Sequence, residues 1–109
     1  MERIETTIIR NLIHNEDFSR KVIPFLEPTY FERRSEKILF EEISSFIVKY
    51  GSAVTIEALN IEVENRSDVT DDEVKEIKEI NQYLNDSPVD QQWLFDVTEK
   101  WCRDRAIYL

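Results

Sequence analysis

Between Ser35 and Tyr50 the apolar residues Leu39, Ile43, Phe46 and Tyr50 recur at three- and four-residue steps, with Phe40 and Ile47 beside them. On a helix that spacing makes one broad apolar stripe. Fully burying one Leu, Ile or Phe is worth roughly 1.5–3 kcal/mol, so six such positions make this the element around which the rest must pack. Ser35 is the predicted N-cap, and Gly51 supplies the positive backbone angle at which helices stop.

The same periodicity predicts helices on either side. A first helix, from about Arg3 to Ile13, has Ile4, Ile8, Ile9, Leu12 and Ile13 on its core side and Glu5 and Arg10 outside. Asn15 caps a short second helix whose acidic start, Glu16-Asp17, suits the positive end of the helix dipole and whose buried residues are Phe18 and Val22. Pro24 and Pro28 bracket a tight connection, and Pro28 opens a single turn that delivers Tyr30 and Phe31 to the core. Thr55 caps a helix with Ile56, Leu59 and either Ile61 or Val63 apolar. Thr70-Asp71-Asp72-Glu73 has the capping-box form, ahead of a helix expected over 71–85 with Val74, Ile77, Ile80, Tyr83 and Leu84 inside. Ser87 as cap and Pro88 at the first position start the last helix, which carries Val89, Trp93, Val97 and Trp101 at four-residue steps with Leu94 and Ile107 flanking them. Nothing alternates long enough to demand a strand. The expected class is all-α.

Two tryptophans on one edge of a terminal helix read either as core or as partner anchors. The helix also runs to the last residue without a stop signal, as expected of a fragment of something longer. Trp93, Val97 and Trp101 are therefore the candidate interface residues.

At 109 residues the chain is one domain's worth of sequence, and its single cysteine, Cys102, excludes an internal disulfide and a thiolate metal cluster. No apolar run reaches the length of a membrane span, and the opening MERIETT is too charged for a signal peptide, so a cytoplasmic protein with no membrane partner is expected. The net charge of −9 is uneven: residues 56–99 hold thirteen Asp/Glu against three Lys/Arg. Such a field repels phosphate backbones and attracts basic protein partners, unless it serves only as a solvated face.

Catalytic chemistry finds little to use. A phosphate loop needs several glycines where this chain has one, and the lone His14 has no visible partner and reads as a surface or capping residue. A helical carboxylate metal site needs Glu-x-x-His, but Asn11 precedes His14 by three. Adjacent acids such as Glu41-Glu42 point about 100° apart on a helix, and Asn65 to Glu76 lacks the central Gly of a calcium loop. No catalytic, cofactor-binding or metal residue is assigned. The basic group Arg33-Arg34-Lys37 is expected to balance nearby acids such as Glu32 and Glu36.

Taken in order, Glu5, Ile8-Ile9, Leu12-Ile13, Phe18, Val22, Tyr30-Phe31, Leu39-Phe40, Ile43, Thr55 and Ala58-Leu59, followed by Asp86-Ser87-Pro88-Val89-Asp90, Trp93-Leu94, Thr98-Glu99-Lys100 and Arg105-Ala106, carry a resemblance. The chain resembles the N-terminal domain of DnaB-family replicative helicases, most closely the form carried by T-even-like bacteriophages. Bacterial members usually carry a glycine in the first helix and a histidine before the central run; here Asn11-Leu12 and Arg34-Ser35 stand there, so no primase-contact residue is carried over. The resemblance implies a helical bundle over 1–85 and the first arm of a helical hairpin over 86–109. It also implies a collar role in a hexameric helicase, with neighbouring subunits, primase and helicase loader as partners. ATP, Mg and single-stranded DNA would belong to a motor domain outside this fragment, in the host cytoplasm. A free-standing acidic protein-binding module, a phage inhibitor or DNA-charge mimic, is the alternative, and a small helical metalloenzyme a more distant one.

Overall fold

The computed structural model describes residues 3–85 and 88–108. Among them are six α-helices, two 3-10 turns and no strand, so the expected all-α class holds. The helices are α1 (Ile4–His14), α2 (Glu16–Val22), α3 (Arg34–Tyr50), α4 (Ile56–Glu64), α5 (Asp71–Asn81) and α6 (Gln91–Tyr108); the 3-10 turns, Ile23–Phe25 and Pro28–Tyr30, fall where the two prolines predict a tight connection.

Local signals account for most of the boundaries. The Asn15 side chain accepts from the Phe18 N–H at 3.1 Å, and Thr55 does the same for Ala58. At α5 the capping box is complete: Thr70 Oγ1 accepts from the Glu73 N–H at 3.1 Å and the Glu73 carboxylate from the Thr70 N–H at 2.9 Å. Gly51, with φ 68°, closes α3 through its N–H to the Ile47 carbonyl.

Three boundaries depart from expectation. Ser35 lies buried inside the first turn of α3, and Arg33 is the N-cap. An arginine side chain has no acceptor to offer; what closes this end is the Glu36 carboxylate accepting from the Arg33 N–H at 3.3 Å. Helix α5 ends at Asn81, four residues early, because the chain tightens through Tyr83 N–H to Ile80 O and Leu84 N–H to Asn81 O. That turn leaves Tyr83 in solvent while still burying Leu84. Helix α6 begins at Gln91, not Pro88, since Asp90 takes the cap and its carboxylate accepts from the Trp93 N–H at 2.8 Å. Ser87, the expected cap, lies outside the described residues.

One core unites the elements: Ile8, Ile9 and Leu12 of α1, Phe18 of α2, Phe31, Ile38, Leu39, Phe40 and Ile43 of α3 and its approach, Leu59 and Val63 of α4, Ile77 of α5, and Leu94 and Trp101 of α6. The α3 stripe is shorter than its periodicity promised. Its first half is covered, Phe46 and Ile47 are half-buried, and Tyr50 is exposed, because α4 and α5 cover only part of it. Val63, not Ile61, is the inner residue of α4.

Arg66 clamps the acidic side. It meets Asp68 through two bonds of 2.8 and 2.7 Å and reaches Glu41 and Glu42 on α3 at 3.2 and 3.1 Å. The guanidinium holds the Asp68 carboxyl at about 2, while burial pushes Glu42 upward against the pull of Arg66. Arg34 pairs with Glu73 at 2.6 Å and the Asp68 carbonyl at 2.7 Å, so it balances the start of α5 instead of the expected Glu32 and Glu36.

Two outcomes follow for stability. Trp101→Ala is expected to cost about 3–5 kcal/mol in urea unfolding, whereas exposed Val48→Ser stays within about 0.5 kcal/mol. Because the folded-state value of Asp68 is depressed, its contribution is present above its unfolded value near 4 and lost as pH falls toward about 2. The gap in urea midpoint between wild type and Asp68→Asn should therefore close over that window, and shrink with added salt since Asp68 is exposed.

Candidate functional site

Helix α6 is held along its length. At its start Asn15 Nδ2 donates to Gln91 Oε1 at 2.8 Å, while nearby His14 Nε2 sits 2.6 Å from the Leu84 carbonyl oxygen, tying the end of α1 to the approach of α6. In its middle Trp101 packs on Phe31, with ring centroids 5.0 Å apart, and meets Tyr30 edge-on at 6.0 Å. Toward its end Arg105 donates to Glu5 and to Glu32, each at 3.0 Å.

That last contact belongs to a network sequence reasoning missed. Glu5 was expected outside α1; it is 5% exposed, beside an equally buried Glu36. Arg3 joins them, 2.6 Å from Glu36 and 3.5 Å from Glu5, so two guanidiniums serve three carboxylates, Glu5, Glu32 and Glu36. Arg10, also expected outside, is buried too. Burial raises the Glu36 carboxyl with Arg3 opposing, so protonating Glu36 on acidification favours the folded state, whereas Arg105 lowers the exposed Glu32. The missed signal was the pairing of Glu5 with Arg105, a hundred residues apart, which no local period reveals.

The three candidate interface residues part company. Trp101 is 7% exposed and taken up by the core of its own chain, Val97 is half-buried, and Trp93 is 47% exposed. They share a helix edge, yet each four-residue step turns about 40° past a full turn, so Trp101 reaches Phe31 and the core while Trp93 meets solvent. Ile107, expected beside them, is exposed.

On the side of α6 facing α2 and the first 3-10 turn lies an apolar groove of about 580 Å³. Phe25, Phe95, Cys102 and Ala106 line it, with Val22 and Tyr30 behind. Phe25 stands on its rim 71% exposed, and Phe95 packs on the buried Phe18 at 5.6 Å. Two cations flank it: Lys21, whose Nζ lies 5.3 Å over the Phe95 ring, and Arg103. Neither has an ion pair among the described residues, and Glu99 is the groove's one acid. The Thr98 hydroxyl, buried at this lining, has no hydrogen-bond partner among them. Burial pushes the Cys102 thiol up to about 11, which makes it a poor nucleophile at neutral pH. Across the molecule, α4 and α5 present Glu57, Glu62, Glu64, Asp71, Asp72, Glu76 and Glu79 to solvent, with Glu64 paired to Lys78.

No group of three or more metal-ligating side chains converges among the described residues, and no helix is long and apolar enough to cross a membrane.

No protein-family model matches the chain. Against curated proteins it is 37% identical, over 101 residues, to a DnaB-like replicative helicase of Enterobacteria phage T4. The chain is similar to a piece of a replicative helicase. The match takes in 93% of this chain and 21% of the helicase, so the resemblance carried by its residues holds, and holds to a fragment.

The network gives a direct outcome. Arg105→Met leaves the buried Glu5 with only the longer Arg3 contact and should cost about 3 kcal/mol. Combined with Glu5→Gln in a double-mutant cycle, it should show a coupling of about 1–3 kcal/mol; strict additivity would mean that the contact contributes nothing.

Proposed function

We propose that this chain is the N-terminal scaffolding part of a replicative DNA helicase, associating helicase subunits and docking primase and helicase loader, with the ATP-dependent motor in a following domain. The observation that carries the reading is the 37% identity across nearly the whole chain to about a fifth of a helicase. The fold supports it: a small helical globule with a long last helix and an exposed apolar groove. In this reading ATP, Mg and single-stranded DNA are handled by the motor, and the parent protein works in the cytoplasm of a phage-infected cell. Residues from Pro88 onward form the first arm of a helical hairpin, and the Trp93 and Val97 edge seats the second arm or a neighbouring subunit.

The acidic surface of α4 and α5 favours a second reading, a free-standing module that binds a basic host protein. The coding DNA beyond Leu109 separates the two: a downstream Gly-x-x-x-x-Gly-Lys-Ser/Thr supports the helicase reading, and a stop codon overturns it. For the edge, Trp93→Asp in the complete protein should leave the melting temperature of the globule within a few degrees of wild type while sedimentation velocity shows weakened self-association. Unchanged association would exclude Trp93 from the interface.

A further inference from the structure

We infer that the groove between α6 and the α2–Phe25 segment is a docking site for an amphipathic helix with carboxylates along its flanks, supplied by another protein. The inference goes beyond the helicase reading and does not depend on it. Shape argues for a helix: the groove is an open trough with a wall of helix on one side and a helix and turn on the other, apolar along its floor, the arrangement into which an amphipathic helix lays its apolar face. The exposed Phe25 ring on the rim, with Phe95 opposite, supplies the aromatic contacts that anchor such partners.

Charge selects the flanks. The protein carries −9 overall, yet this groove is edged by Lys21 and Arg103, neither of them ion-paired among the described residues, against the single acid Glu99. Arg20, Arg34, Arg66, Lys78, Lys100 and Arg105 have carboxylate partners within the chain, whereas Arg33, Lys37, Lys49 and Lys75, like Lys21 and Arg103, have no ion pair among the described residues; of these six only Lys21 and Arg103 line the groove. Cations left unpaired in so acidic a chain, on both sides of an apolar trough, complement a partner that brings carboxylates. Docking would also cover the groove lining beside the unpartnered Thr98 hydroxyl, where a polar group of the partner can take up that donor after a small shift of the lining.

The test is a selection, using the 109-residue chain, from a displayed library of amphipathic helices with a fixed apolar stripe and flanks varied among Glu, Lys, Gln and Ser. The expected winners carry Glu on the flanks. They should bind the doubly reversed Lys21→Glu/Arg103→Glu protein about tenfold more weakly, lose affinity with added salt, weaken on Phe25→Ala, and slow alkylation of Cys102, the chain's only thiol, which lines the groove. All three substituted side chains are at the surface, so folding is checked simply by circular dichroism. Failure to enrich any sequence, enrichment of Lys-flanked helices, or winners indifferent to the substitutions and without effect on Cys102 would each overturn the proposal. So would protection of Cys102 that rises with protein concentration alone, which would assign the groove to a second copy of this chain.

Discussion

Phe31 is the side chain on which the arrangement turns. It follows the turn opened by Pro28, is fully buried, stacks on Phe40 of α3 at 5.3 Å and packs on Trp101 of α6 at 5.0 Å. One ring therefore joins the central helix to the last one. Because proline fixes the backbone at the start of the turn, local geometry aims that ring at the core. The docking of α6 in turn bounds the groove: Trp101 packs on Phe31 while Phe25 stays exposed, and the space between α6 and the Phe25 segment is left open.

Apolar contact and charge divide the work. Leu94 and Trp101 supply the burial that attaches α6, whereas the Glu5, Glu32, Glu36, Arg3 and Arg105 network fixes where the helix sits along its length. Buried ions are costly to desolvate, so the network specifies a geometry more than it stabilises a fold. Elsewhere, Arg66 and Arg34 hold the start of α5 and the loop before it against α3. The groove, edged by Lys21 and Arg103 against Glu99, differs in sign from the acidic face of α4 and α5, which suits different partners.

Local chemistry made much of this legible in the sequence. Asn15, Thr55 and the Thr70–Glu73 box cap where they should, Gly51 stops α3, and Phe18, Val22 and Phe31 are inside. Failures came where a distant contact outweighed a local rule. Ser35 is a better cap by type than Arg33, but it is drawn into the core beside Glu36, whose carboxylate closes the helix end. Glu5 looked solvated because α1 alone offers it no partner; Arg105 becomes its neighbour only after folding. Spacing places Trp101 on a face without saying what covers it, so in the sequence alone core and interface both stay open. The groove itself had no signature in the sequence, since it arises between elements far apart in the chain.

Amide hydrogen exchange along residues 91–108 of the 109-residue protein tests most directly whether α6 is a docked part of the globule. Docking through Phe31, Trp101 and Arg105 predicts protection around Leu94 to Trp101 of the same order as in the covered first half of α3, fading toward the end of the helix. Fast exchange throughout α6 beside a protected α1 and α3 would contradict it, and would mean that neither the last helix nor the groove it forms belongs to the folded unit.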